Sequence, residues 1–306
     1  VPFFGLRIGI RATLAIIIAA AVFLFLKPIK TLYINEKGFW EANYGDGIIM
    51  VYIPGGEFTM GSNDFDDEKP IHTVYLDGYW MGKYEITIKQ YMKFVNATKT
   101  HYPEWLEQGN KYNINTGADD YYKEFLSNEN NPIVGISWND ANAYCDWLST
   151  EKNLIFKLPT ESQWEKAARG TDSRTYPWGN SPPSGEKVNF ADIKLLEKEK
   201  IFSWVDKNID DGYAYTAPVG SYHNGASPYG LLDMAGNVWE WCYDWYDIYS
   251  AEPQKNPTGP ESGSNRVVRG GGWLGGAGYL RCANRSYHRP SNRVNSLGFR
   301  LCQDNR

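Results

Sequence analysis

The stretch that decides the fold is Leu231 to Asp247, LLDMAGNVWEWCYDWYD, in which Asp233, Asn237, Glu240, Asp244 and Asp247 sit among closely spaced Trp and Tyr residues. Acids in so aromatic a segment need a reason. Calcium is a hard cation that takes carboxylate and carbonyl oxygens, and a glycine-containing loop can turn carbonyls inward while Asp233 and Glu240 supply charge. A Trp-rich core segment whose acids face solvent is the competing reading. The spacing is not that of an EF-hand, so chemistry alone leaves both open.

Outward from this stretch, the chain has 306 residues, enough to bury a core without disulfide or metal staples. Lys plus Arg is 31 against Asp plus Glu at 36, a formal net charge of −5, and this excludes a general nucleic-acid binder, which carries a basic excess. Aromatics reach 15% with 12 Trp and 22 Tyr, beside 30 Gly and 16 Pro, which excludes disorder and a helical bundle. A turn-rich domain with short elements is the remaining class.

Strands are predicted at Ile48 to Ile53, Thr73 to Leu76, Val267 to Arg269 and Gly298 to Leu301. Three helices are predicted. One covers Ile86 to Ala97 with Tyr91, Phe94 and Val95 inward, and one starts at Ser137 with Ala141, Tyr144, Cys145 and Leu148 on its buried face. The third starts at Thr160, with Gln163 reaching back, and stops at Gly170. Residues 101 to 131 and 191 to 210 read as polar insertions.

Residues 1 to 26 hold an uncharged, almost wholly apolar run, Ala12 to Leu26, which reaches bilayer length as Gly5 to Leu26 if Arg7 and Arg11 snorkel. The run ends in bulky residues before Lys27 and Pro28, without the small residues of a cleavage site, so the reading is an uncleaved membrane helix. Residues 27 to 46 then form a linker, and the globular body occupies 47 to 306. That topology implies an extracytoplasmic domain held at a membrane, in the periplasm or at a cell surface. Four cysteines, Cys145, Cys242, Cys282 and Cys302, lack any C-x-x-C spacing, and four histidines lack metal-site spacing.

Eight segments in order, MVYIPGGEFTMGS (50 to 62), EKPIHTVYLDGYWMGKYEIT (68 to 87), PIVGISWNDANAYCDWL (132 to 148), KLPTESQWEKAARG (157 to 170), YPWGN (176 to 180), YGLLDMAGNVWEWCYDWY (229 to 246), RVVRGGGW (266 to 273) and LGFRL (297 to 301), resemble formylglycine-generating, or sulfatase-modifying-factor, domains. The resemblance implies an α+β, C-type-lectin-like fold with little regular secondary structure. It implies structural calcium at Asp233, Gly236, Val238 and Glu240, and at Asn189, Phe190, Asp211 and Tyr213. It also implies a disulfide between Cys145 and Cys302. Formylglycine-generating enzymes place two copper-binding cysteines shortly after the RGG turn, where this chain reads WLGGAG with Gly275 at a thiol position. Gly, Leu and Ala cannot replace a soft thiolate pair, so no copper and no formylglycine chemistry are expected.

Three function classes follow. The first is a binding or scaffold module for an unknown protein or small ligand, with Trp273, Leu274, Tyr279, Tyr287, His288 and Arg289 as the contact residues. Aromatic and Arg side chains offer large, rather rigid contact area. The second is a divergent oxidoreductase of the siderophore-maturation type that the family includes. The third is a ligand-binding receptor diversified by a retroelement, with its variable positions between the RGG turn and the GFR strand.

Overall fold

Short, mostly apolar strands open the fold in this computed structural model, which describes residues 29–117 and 121–305. Strands β1 (Thr31–Ile34), β2 (Trp40–Gly45), β3 (Ile48–Ile53), β4 (Gly56–Met60), β5 (His72–Leu76) and β6 (Tyr79–Gly82) follow one another. The predicted membrane helix lies outside the described residues, and among these no helix is long and apolar enough to cross a membrane.

The linker reading of residues 27 to 46 needs correction. Residues 31 to 45 form an antiparallel hairpin, Thr31 opposite Asn43 and Ile34 opposite Trp40, whose second strand pairs with β3. Glu41 hid the strand in the sequence. Its carboxylate is fully buried and receives Tyr33 Oη at 2.6 Å, Asn35 Nδ2 at 3.1 Å and Lys83 Nζ at 2.7 Å, so a polar residue occupies an interior position with its bonds filled.

All three predicted helices form, each behind a complete capping box. Thr87 and Gln90 open α1 (Ile88–Thr98), two residues later than predicted because Thr87 is the cap. Ser137 and Asp140 open α2 (Trp138–Lys152), and Thr160 and Gln163 open α3 (Glu161–Arg169), which ends at Gly170 with φ 74°. The stretch 101 to 131 is not a plain polar insertion. It buries Trp105, Tyr122 and Phe125, and Phe125 stands 5.3 Å from Trp273 between ring centroids. Likewise 191 to 210 contains α4 (Ile193–Lys198), capped by the Asp192 side chain, with Leu195 wholly buried.

The decisive stretch becomes β7 (Trp239–Trp245), followed by β8 (Gln254–Lys255), β9 (Arg266–Arg269), β10 (Arg285–His288), β11 (Leu297–Gly298) and β12 (Cys302–Asp304). The first sheet runs β1-β2-β3-β6-β12, the second β10-β9-β7-β11, and a third β4-β5-β8. In the second sheet Val268 and Trp241 pack into one apolar cluster, while Val267 and Cys242 pack into another. It is therefore buried on both faces. Charges that would be stranded in this interior are paired: Arg300 with Glu240, Arg269 with Glu165, and Arg285 with Glu161.

Arg300 is the most committed of these. Its Nε and one terminal nitrogen reach Glu240 at 2.6 Å each, and its remaining N–H groups reach the carbonyls of Gly82, Lys83, Leu232 and Asp233. Removing one partner of a buried pair leaves an uncompensated charge, so Arg300→Met should cost about 3–5 kcal/mol. Urea unfolding measures it. Adding Glu240→Leu to that variant should recover part of the loss; an additive double variant would show the pair is not coupled.

Candidate functional site

The Asp233 loop is tightly specified. Asp233, Gly236 and Asn237 adopt φ of 56°, 74° and 57°, and a Cβ on Gly236 would lie 2.2 Å from the Asn189 carbonyl. Only glycine fits there. Asn237 N–H donates to that same carbonyl at 2.9 Å, and Asn189 Nδ2 donates to Asn237 Oδ1 at 3.1 Å. The two stretches read separately as calcium loops are thus one hydrogen-bonded unit.

Around Asn189 the donors suit calcium. Asn189 Oδ1 is buried without a partner, and Asp211 accepts Phe190 N–H and Tyr213 N–H at 2.9 Å each, one on each carboxylate oxygen. Burial pushes the Asp211 carboxyl up to about 8, with the charge of Asp192 adding to it. A hard cation would fill the orphan acceptor and offset the buried charge. Asn189, Phe190, Asp211 and Tyr213 are therefore together, as the resemblance implied.

The other loop fits less well. Val238 is wholly buried and Asp233 accepts Gly220 N–H at 2.5 Å, its carboxyl pushed up to about 6 chiefly by burial. Glu240 is paired with Arg300 and accepts Trp164 Nε1–H at 2.8 Å, so its carboxylate already carries a structural ion pair. Sequence reasoning missed Arg300 as its partner. Among the described residues no cluster of three or more His, Cys, Asp or Glu could hold a metal, so amide and backbone oxygens must complete any ion site.

The predicted ligand face is also corrected. Trp273 is 2% exposed and packs on Phe125 and Tyr215, with its indole N–H donating to the Asn295 carbonyl; it is core. Tyr287 and His288 are neighbours on β10 and point to opposite sheet faces, Tyr287 towards Tyr246 and His288 towards Trp241. Arg289 is exposed in the turn after β10. Neither a 520 Å³ cavity beside Glu161 and Asp244 nor a 450 Å³ cavity beside Glu85 and Met50 is lined by any of these six residues.

What does assemble is a different aromatic surface around Gly275 to Gly278. Tyr279 is 52% exposed and meets Trp239 edge-on at 6.0 Å, while Leu274 is half-buried behind it. Trp204, 56% exposed and 4.9 Å from Phe202, donates its indole N–H to the Leu274 carbonyl. Trp204 lies in a stretch that looked merely polar; an exposed Trp within a charged segment was the available signal.

All four cysteines are buried free thiols in this structure, so the expected Cys145–Cys302 bridge is not formed here, although Cys302 lies within electrostatic reach of Cys145. Cys302 Sγ donates to Gln163 Oε1 at 3.4 Å. Burial pushes the Cys282 and Cys302 thiols up to about 12 and those of Cys145 and Cys242 well above the usual range.

With this geometry in hand, the family described as "Sulfatase-modifying factor enzyme 1-like domain" matches residues 41–305. The chain is 36% identical to the formylglycine-generating enzyme of Mus musculus over 83% of this chain and 75% of that one. It is 27% identical to the inactive C-alpha-formylglycine-generating enzyme 2 of Bos taurus over 90% of this chain and 95% of that one. Among solved structures, PvdO from Pseudomonas aeruginosa superposes with a TM-score of 0.66 at 23% identity, covering 90% of this chain and 99% of that one, a likeness of fold.

Asp244 gives this region a pH signature. Burial, then the charge of Glu161, pushes its carboxyl up to about 7 from 3.8. The native state then holds a proton that the unfolded chain releases, so this group's contribution to stability falls as pH rises from about 4 to about 7 and levels off above. Asp244→Asn, which keeps an acceptor for Glu161 N–H, should flatten that stretch of the stability profile. Parallel wild-type and variant curves would show that Asp244 does not titrate there.

Proposed function

We propose, for a chain that belongs to the sulfatase-modifying factor enzyme 1-like family, a binding or scaffolding role without formylglycine formation. The observation that carries this is the state of the cysteines. Copper chemistry in this family's manner needs an accessible thiolate pair, and the four thiols here are 0–1% exposed with their ionisation suppressed by burial. Gly275 stands where a reactive thiol would be. Its surroundings offer Trp204, Trp239, Leu274 and Tyr279 as a contact surface, with room over Gly276 and Gly278, where an added Cβ meets nothing within 4 Å. Exposed aromatics grouped in this way suit recognition of a partner.

In this reading calcium is structural, held by Asn189, Phe190, Asp211 and Tyr213 and at the Asp233, Gly236 and Val238 loop. It supplies charge compensation to buried carboxylates. The uncharged run Ala12 to Leu26 supports anchoring to a membrane, with the domain outside the cytoplasm.

Two measurements test the role. A C-x-P-x-R peptide incubated with the protein, copper, oxygen and a reductant should keep its cysteine by mass spectrometry; aldehyde formed at an enzyme-like rate would falsify the reading. In native membranes, a photo-crosslinking residue at Gly278 should trap a discrete partner, while the same residue at Ile248, which is 86% exposed, should not. Equal adducts at both positions would remove the Gly275 surface as the binding face.

A further inference from the structure

Strand β1 is the outer edge of the first sheet, and every one of its residues, Thr31 to Ile34, is exposed. Its register decides which side chains stand together. Leu32 pairs with Ala42 and Ile34 with Trp40, so Leu32, Ile34 and Trp40 share the sheet face that carries Ala42 into the core. Past the core that face is bare, with Leu32 42%, Ile34 50% and Trp40 47% exposed. An edge strand with an open apolar face pairs with foreign chains unless something covers it.

The chain itself says what lies next to this face. Ile29 packs against the core and Lys30 N–H donates to the Asn43 carbonyl at 2.7 Å, so only Lys27 and Pro28 separate the apolar run ending at Leu26 from the folded sheet. From Leu26 to Ile29 is three Cα steps, at most about 11 Å. The headgroup layer on each side of a bilayer is about 5–8 Å deep, so a run that crosses a membrane brings the β1 edge up against the headgroups. The gap left is narrower than a helix, which is about 10 Å across. The exposed side chains suit that layer. Trp and Tyr collect at membrane interfaces, and Tyr33, 40% exposed, stands beside Trp40 on the hairpin. Lys30 and Lys37 are exposed and, among the described residues, in no ion pair, but Glu36 adjoins Lys37, so apolar contact outweighs charge here. The unpaired backbone groups of an edge strand are costly in hydrocarbon, which keeps the hairpin shallow.

We infer that the β1–β2 hairpin is a membrane contact in its own right, with Leu32, Ile34 and Trp40 seated among the lipid headgroups and the upper acyl chains. The inference rests on the reading of Ala12 to Leu26 as an anchor and adds to it the face that the domain turns to the lipid. Two attachments, one crossing the bilayer and one lying on it, hold the domain in a fixed orientation where a single short tether would let it swivel. The lipid also covers the apolar edge that would otherwise pair with another chain.

The test uses the full chain in liposomes of phosphatidylcholine and phosphatidylglycerol, with a solvatochromic dye on Ile34→Cys or on Ile248→Cys. Ile248, 86% exposed, lies off the hairpin, and wild type treated alike gives the background from the native thiols. At position 34 the dye should emit at shorter wavelength and be quenched by lipid brominated near the top of its acyl chains. Aqueous iodide should quench it several-fold less than at position 248. If Ile34→Cys does not fold, Leu32→Cys on the same face should give the same pattern. The inference is overturned if iodide reaches positions 34 and 248 equally. It is also overturned if the dye at 34 is shielded from iodide yet untouched by brominated lipid, since protein, a second copy or this chain's own N-terminal run, then covers the face. Alkaline carbonate extraction separates the two readings. A chain that stays in the membrane while position 34 reports water loses the hairpin contact alone; a chain released by carbonate loses the anchor and the contact together.

Discussion

One guanidinium without access to water organises this domain. Arg300 is fully buried, and its bonds tie Glu240 at the start of β7 to the end of β6 and to the backbone on either side of Asp233. A buried ion pair is poor evidence of net stabilisation, because desolvation cancels much of the attraction. Its value here is positional. With its donors satisfied by fixed acceptors, Arg300 braces the left-handed turn at Asp233 to Asn237, and Asn237 N–H in turn holds the Asn189 carbonyl at 2.9 Å. Breaking that arrangement would loosen both acid-bearing loops together.

The same interior sets the state of the thiols. Three cysteines, Cys242, Cys282 and Cys302, belong to one apolar cluster with Trp164 and Met234, and Cys145 belongs to the adjoining one. Such surroundings keep a thiol protonated and out of reach of solvent. The proposed recognition role looks instead to side chains that are both exposed and held. Trp204 and Tyr279 meet that condition because the backbone of Leu274 and the face of Trp239 fix them.

Much of the fold was legible in the sequence because its signals are local. The caps Thr87, Ser137 and Thr160 each announce a helix three residues ahead of a Gln or Asp, and the structure contains all three boxes. The ordered motifs carried the family, and two of the residues read from them, Phe190 and Asp211, are hydrogen-bonded to each other. What failed was what depends on distant partners. Glu41 looked like linker because its three donors come from Tyr33, Asn35 and Lys83, the last from another strand. The pairing of Glu240 with Arg300, sixty positions away, was out of reach for the same reason, since spacing gives no hint of it. Trp273 looked like a contact residue because the aromatics that bury it come from the stretch taken for a polar insertion. Tyr287 and His288 looked like one surface because adjacency in sequence conceals the strand alternation that separates them.

The central claim, that this domain offers a recognition surface in place of thiol chemistry, is tested most directly by counting reactive thiols. Native protein treated with a fast thiol reagent, with and without Cu(I) held in a buffered competition, should show no rapidly labelled cysteine, and denatured protein should show all four of the chain's cysteines. Two thiols that label quickly in the native state and are protected by Cu(I) would contradict the account.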